Sequence, residues 1–501
     1  MNTTCRGTNC HPKGGEPTGT DDLEGLYKFH WGGVCKGLDS HLIMGGTLVC
    51  RIMRLVACRL LLSEVGDNPS EEDSIYMNRT WRLVLVTVAS VSAVGLMLIL
   101  TLTTAADVPP DWCVTEPGAG DEVHTICVPE DWNGGLILWA HGYVFSSEPI
   151  TISHIYLPGM ELSIPEIAGL LGYAFAASSY SKNGYAVEEG IEDTHALYHQ
   201  FVVSYAEPTY TYILGASEGG LITVKLMESY PDIFDGGLAL CGPIGGLHHE
   251  MPHVADFRLV FDYFFPDLLP GNAISVPLDA WQYWETGGPD TEQGYYYDII
   301  EAIQDHPWRT AQLFTVTEVC TDWQSPESVA DSATHLLSYS IFATNDMSET
   351  VGGNPYDNQS TWYRGSYCDW CLNRPGGVDR FQADPGAVEE IMRFAPTGEI
   401  EAPLVTLHTT CDPLVPFWNE LIYWKLAQAQ GNADKLLVLP SRRYGHCTFE
   451  VREVLLAFAA LVYRVEGHLP RLSRFESVDT DNLPGWVTTF ESKMDLQSAR
   501  P

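Results

Sequence analysis

Positive charge is scarce in this chain. Its 501 residues hold 27 Lys and Arg against 65 Asp and Glu, a formal net charge of −38. Residues 107–501 alone carry 55 acidic and 18 basic side chains. A surface this negative repels phosphate backbones and anionic headgroups, so nucleic acid is not an expected partner. The charge suits solubility in a salty medium, or simply guards against aggregation. Internal repeats and low-complexity tracts are absent, which excludes solenoids and propellers. A second Cys-x-x-Cys is missing as well. Cys368-Asp369-Trp370-Cys371 stands alone, so that spacing is half a zinc site at most, or a redox motif, and no metal or cofactor is expected.

Long apolar runs are missing too, with one exception. Residues 83–102 are uncharged and almost wholly apolar. Arg79 and Arg82 precede them, and Thr103, Thr104, Ala105 and Ala106 follow. Basic flank, apolar run and small residues at the exit describe a secretory signal cleaved near Ala105 or Ala106. The run is also long enough to span a bilayer, so an uncleaved membrane anchor is the alternative. Met77 opens Met-Asn-Arg-Thr-Trp-Arg, a start with its own basic flank. Residues 1–76 show no sustained period and five scattered cysteines. They read as an over-extended reading frame rather than a domain, or else as a short cytoplasmic tail. The expected division is a signal or anchor at 77–106, a catalytic core at 107–244 and 401–470, an insertion at 245–400 and a tail at 471–501. The expected location is extracellular, or membrane-anchored with the catalytic domain outside.

Hydrophobic residues make up 45% of the chain, enough for a large packed core. Val123–Pro129 and Gly135–Ala140 read as strands joined by Asp131-Trp132-Asn133-Gly134, a hairpin signal. Gly172–Ser178, Thr211–Leu214 and Gly236–Leu240 are further strands. Helical spacing covers Glu188–Tyr205 and Gly220–Tyr230. Strands alternating with helices predict a parallel sheet with crossover helices. The rhythm breaks over 245–400, where six of the fourteen Trp lie. It resumes with strand Pro403–His408, helix Phe417–Gln430, strand Lys435–Pro440 and helix Val451–Val465. One α/β sheet interrupted by a large, mostly helical lid accounts for this pattern.

The chemistry concentrates at the strand ends. Gly215-Ala216-Ser217-Glu218-Gly219 follows a strand and opens a helix. In that context G-x-S-x-G makes a sharp turn that lifts a serine Oγ over the sheet edge. A hydroxyl needs a base to become a nucleophile. The order nucleophile, acid, histidine then selects Asp412, just past strand Pro403–His408, and His446, on the loop after strand Lys435–Pro440. Two backbone N–H groups should face the developing oxyanion. Glu218, next to the nucleophile, supplies one; Tyr143, in His141-Gly142-Tyr143 after an early strand, supplies the other.

At these residues the chain resembles the α/β-hydrolase superfamily. V-P-E-D-W-N-G-G-L-I-L-W-A-H-G-Y and S-S-Y-S-K-N-G-Y-A-V-E-E-G look like secreted bacterial esterase- or peptidase-like members. The elbow G-A-S-E-G-G is also similar to prolyl-oligopeptidase-type catalytic domains. The resemblance covers roughly 123–244 and 400–466. It implies an α/β-hydrolase sheet and a Ser-Asp-His triad. Tannase and feruloyl esterase relatives carry a Cys beside the nucleophile, paired with a Cys beside the His. Here Cys447 follows His446, but Ala216 precedes Ser217.

Three functions compete. The first is hydrolysis of a small-molecule or polymeric carboxylic ester through an acyl-enzyme. The second is peptide hydrolysis with the same residues, and the third is a non-catalytic binding module. The aromatic lid and the absence of a preceding propeller favour the ester. His248-His249-Glu250-Met251-Pro252-His253 matches no zinc spacing, and Pro252 should interrupt a regular helix. Arg442-Arg443 is a candidate contact for an acidic substrate group, or a solvated pair. The eight cysteines after residue 106 are even in number and lie beyond a secretory signal, so disulfides are expected. Cys113 and Cys127 flank a short polar excursion and are a candidate pair. Cys411 precedes Asp412 and Cys447 follows His446, so a triad contact predicts a Cys411–Cys447 bridge. The alternative is that each pairs elsewhere, with Cys241 or Cys320 for instance, or stays a small buried hydrophobe.

Overall fold

In the computed structural model of the chain, residues 110–118, 120–153, 155–156, 163–284 and 293–470 are described. The expectations for residues 1–76, for the signal or anchor at 77–106 and for the tail at 471–501 lie outside the described residues. Among the described residues, no helix is long and apolar enough to cross a membrane.

The described strands form one sheet. In chain order they are β1 (Cys113–Pro117), β2 (Val123–Cys127), β3 (Gly135–Ala140), β4 (Ala174–Ser178), β5 (Tyr210–Ala216), β6 (Gly236–Leu240), β7 (Leu404–Cys411) and β8 (Leu436–Tyr444). Their spatial order is β1-β2-β4-β3-β5-β6-β7-β8. β1 and β2 pair antiparallel, as do β2 and β4, and every pair from β4 to β8 is parallel. This is an α/β-hydrolase sheet.

Helix α1 (Ile164–Leu170) precedes β4, α2 (Val187–Ser204) joins β4 to β5, and α3 (Glu218–Ser229) joins β5 to β6. Between β6 and β7 the chain is helical: α4 (Leu247–Phe264), α5 (Tyr295–Asp305), α6 (Pro307–Thr317), α7 (Pro326–Phe342), α8 (Thr344–Thr350), α9 (Asp369–Asn373) and α10 (Pro385–Met392). Helix α11 (Trp418–Ala429) joins β7 to β8, and α12 (Val451–Glu466) follows β8.

Side chains alternate across a strand, so each strand feeds two cores. Leu136, Leu138 and Ala140 of β3 pack with α2 and α3 through Phe201 and Leu221. Ile137 and Trp139 pack on the opposite face with α1 and α12 through Ile167 and Phe458. Covering both faces explains why β3 is a continuous apolar run rather than an alternating one. The insertion has a core of its own, which includes Phe257, Phe261, Leu313, Phe314 and Leu336. Arg258 ties it together from full burial. Its guanidinium donates to Asp262, to Ser340 of α7 and to the Pro270 carbonyl.

Two expectations fail here. β2 and β3 are not a hairpin: β4 lies between them. The Asn133 N–H donates to the Gly172 carbonyl at 2.8 Å, so the Asn-Gly turn docks on the chain entering β4. Pro252 does not interrupt a helix either, because α4 runs through it. The lost hydrogen bond and ring clash cost about 3 kcal/mol. Burial of Phe257, Leu259, Val260 and Phe261 along the same helix offsets that.

Candidate active site

The turn from β5 into α3 is sterically determined. Ser217 sits at φ 56°, ψ −123°, a region that non-glycine residues rarely adopt. A Cβ on Gly215 would stand 2.2 Å from the Gly219 carbonyl oxygen, and one on Gly219 only 2.0 Å from that of Ala140. The two glycines are therefore required by backbone-to-backbone contact. The Ser217 N–H donates to Leu240 O at 2.9 Å, which pins the turn to the end of β6.

The other two triad candidates arrive from neighbouring strand ends. Asp412 follows β7 and His446 follows β8. The His446 Nε2 lies 2.9 Å from Ser217 Oγ, and its Nδ1 lies 2.7 Å from Asp412 Oδ2. Asp412 is buried, and its Oδ1 accepts from the N–H groups of Leu414 and Val415 at 3.0 and 2.9 Å. Burial alone would push this carboxyl up. The charge of His446 and hydrogen bonds from His408 and His446 outweigh it and hold the carboxyl well below the usual range.

Behind Asp412 lies His408, fully buried within β7. Its Nε2 lies 2.7 Å from the Val415 carbonyl and its Nδ1 3.1 Å from Glu420 Oε1. With acceptors at both nitrogens, the surroundings favour the charged form of the ring. Burial opposes that charge, but the contacts with Asp412 and Glu420 prevail and raise its pKa to about 10. Thr406 donates to the other Glu420 oxygen at 2.5 Å. Sequence reading took this histidine only as the end of a strand.

Tyr143 lies on the loop after β3 and Glu218 is the first residue of α3. Among the described residues, neither backbone N–H has a protein acceptor. Two cavities meet at Ser217, and Tyr143 and Tyr339 line both. One is also lined by His446 and His335, the other by Glu218 and Glu250. His335, on α7, stands 6.0 Å from His446 between ring centres. Burial, and then the charge of His446, lower its pKa to about 4, so it is neutral at ordinary pH. Burial raises the Glu218 and Glu250 carboxyls to about 8. Sequence reading assigned a role only to the Glu218 backbone. His335 and Glu250 belong to the insertion, whose helical character the pattern indicated but whose packing against the site it did not.

The predicted Cys411–Cys447 bridge does not form. Cys447 pairs with Cys241, just past β6, and Cys411 pairs with Cys320 in the insertion. Adjacent residues of an extended chain point to opposite faces. With Asp412 turned toward His446, Cys411 turns away from it. Cys113 pairs with Cys127 across β1 and β2, and Cys368 with Cys371. The histidine cluster at the start of α4 disperses: His253 donates to the Pro413 carbonyl and Glu250 accepts from Asn419. Arg443 pairs with Glu450 and Glu453, and Arg442 is exposed.

No protein-family model and no curated protein matches the chain. Solved structures do. The acylaminoacyl peptidase of Pyrococcus horikoshii is 10% identical at a TM-score of 0.36, over 74% of this chain and 44% of that one. Candida Antarctica lipase A is 12% identical at 0.37, over 72% and 78%. Feruloyl esterase B from Aspergillus oryzae is 14% identical at 0.38, over 72% and 80%. The chain spans less than half the length of the peptidase. At these identities and scores the fold rests on the sheet order itself, and nothing about substrate follows.

Proposed function

We propose that this chain is a serine hydrolase that cleaves carboxylic esters through an acyl-enzyme. The observation that carries the reading is the pair of contacts at His446: 2.9 Å to Ser217 Oγ on one nitrogen and 2.7 Å to Asp412 on the other. His446 takes the Ser217 proton as Oγ attacks the ester carbonyl. Asp412 fixes the imidazole tautomer and stabilises the imidazolium that forms. The N–H groups of Glu218 and Tyr143 receive the oxyanion. His446 then protonates the departing alkoxide, and water repeats the sequence on the acyl-enzyme. No metal or cofactor has a part in this scheme, and the substrate is a small-molecule or polymeric ester. The four disulfides among the described residues support a site of action in an oxidising, extracytoplasmic compartment.

The test is hydrolysis of 4-nitrophenyl esters and of aminoacyl 4-nitroanilides by the full chain and by Ser217→Ala. Esters should be the better substrates. The variant should lose about 10⁴- to 10⁶-fold in rate with its melting temperature retained. Faster anilide cleavage would assign the same triad to a peptidase. Near-normal turnover by Ser217→Ala, or fluorophosphonate labelling of another serine, would end the assignment.

A further inference from the structure

The two N–H groups that would receive the oxyanion are held by different means. Glu218 opens α3, next to Gly219, whose backbone packs on that of Ala140. Tyr143 has no such support, because residues 141–145 belong to neither a strand nor a helix. Irregular backbone is placed by the bonds that its main chain and side chains find elsewhere. The Val144 carbonyl accepts from the Gly184 N–H at 2.8 Å. The Tyr143 hydroxyl donates to Asp346 Oδ2 at 3.4 Å. Asp346 lies on α8 of the insertion.

The same Asp346 oxygen accepts from the Tyr185 N–H at 2.6 Å. The next N–H along the chain, that of Ala186, donates to Glu218 Oε1 at 3.1 Å. The side chains of both oxyanion residues therefore end on residues 184–186, Glu218 directly and Tyr143 through Asp346. Glycine at 184 permits the approach, since a Cβ there would stand 2.4 Å from Asp346 Oδ2. The end of α8 grips the same segment: Lys182 Nζ donates to Thr350 Oγ1 and, at 3.0 Å, to the Tyr185 carbonyl.

We infer that Asp346 is a positioning residue for the oxyanion hole, through which the insertion sets the spacing of the Tyr143 and Glu218 N–H groups. The inference rests on the esterase reading above. Oxyanion donors work at about 2.7–3.1 Å from the developing charge, and a misplacement of about 1 Å costs on the order of 100-fold in rate. Alanine at 346 would release the Tyr143 hydroxyl and the Tyr185 N–H together. Asparagine would keep a carbonyl oxygen that both can reach. Asp346 touches neither Ser217 nor His446, so its effect on turnover runs through the backbone of Tyr143.

The experiment uses the full chain with a 4-nitrophenyl ester and its thionoester. The thionoester places a weakly accepting sulfur where the oxyanion would form, so it draws little on the hole. Asp346→Ala should lower kcat for the ester by roughly 10- to 100-fold, with KM nearly unchanged. The thionoester should lose much less, so the ester-to-thionoester ratio of kcat/KM should fall. Asp346→Asn should recover most of the rate. Tyr143→Phe removes one hydroxyl and decides the matter alone if Asp346→Ala does not fold; it should lower the same ratio. In a folded double variant the two losses should not add, because they break one contact. An unchanged ratio in Tyr143→Phe or in folded Asp346→Ala overturns the inference and leaves the esterase reading standing. So do equal losses on both substrates, which would mark Asp346 as merely structural. Hydrolysis of neither substrate by the unaltered chain overturns both.

Discussion

Glycines in the sheet half of this site touch backbone atoms, whereas several in the helical insertion stand in open space. A Cβ on Gly219 would meet the Ala140 carbonyl at 2.0 Å, while one on Gly386 of α10 would meet nothing within 4 Å. The sheet holds Ser217, Asp412 and His446 through strand ends packed main chain to main chain. The insertion supplies His335, Glu250 and Tyr339 through side-chain packing around its own core. Reacting atoms tolerate little displacement, so rigid backbone contact suits them. Cavity walls made of side chains are free to differ in what they admit.

The sharpest way to break this comparison is one methyl group in each half. Gly219→Ala should destabilise the fold by about 3 kcal/mol or more, because backbone atoms would have to move apart. Gly386→Ala should stabilise by about 0.5–1 kcal/mol through helix propensity. Urea unfolding midpoints decide it, and similar shifts for both would refute the contrast.

The disulfides offer a second test. Cys241–Cys447 spans 206 residues and anchors the chain beside His446, whereas Cys368–Cys371 spans three. Removing the long bridge by Cys241→Ala/Cys447→Ala should cost about 2–5 kcal/mol, and kcat should fall with it. Cys368→Ala/Cys371→Ala should cost less than about 2 kcal/mol and leave kcat unchanged. Equal losses of kcat would show that the bridge does not steady the histidine.

The third test is electrostatic. His408 in the sheet has a folded pKa of about 10 against 6.5. Glu218 and Glu250 have folded values of about 8 against 4.5. All three are raised, so their contributions are complete below the unfolded values and are lost as pH rises through the folded ones. His335 acts in the opposite sense: its value is lowered to about 4, so its contribution is complete above 6.5 and is lost as pH falls toward 4. Stability should therefore decline from pH 7 to pH 10, by at most about 1.4 kcal/mol per pH unit for each proton. Glu250→Gln should flatten the part below pH 8. Calorimetric melting across this range checks the sign, and a melting temperature that rises with pH would contradict it.

Much of the sheet was legible because its signals are local. Gly135–Ala140 and Gly236–Leu240 coincide with β3 and β6, and Ser217 stands between a strand and a helix as the motif requires. β1 and α1 were not legible. β1 is a mostly exposed edge strand, and α1 is a single short helix with few periodic positions. The hairpin reading failed because a turn residue reports the bend but not the strand that fills the gap beside it. The Cys411–Cys447 reading failed because nearness of two loops does not specify where their side chains point.

The sequence by itself determined the alternating strands and helices, the elbow at Ser217 and the order in which Asp412 and His446 follow it. These depend on residues near one another in the chain and on a sheet that admits few connections. Only the tertiary structure decided that Cys241 meets Cys447, that His408 lies buried behind Asp412, and that Glu250 and His335 line the cavities that meet at Ser217. Each is a contact between segments far apart in the chain, set by which faces of packed helices and strands meet, and no local pattern of residues carries that information.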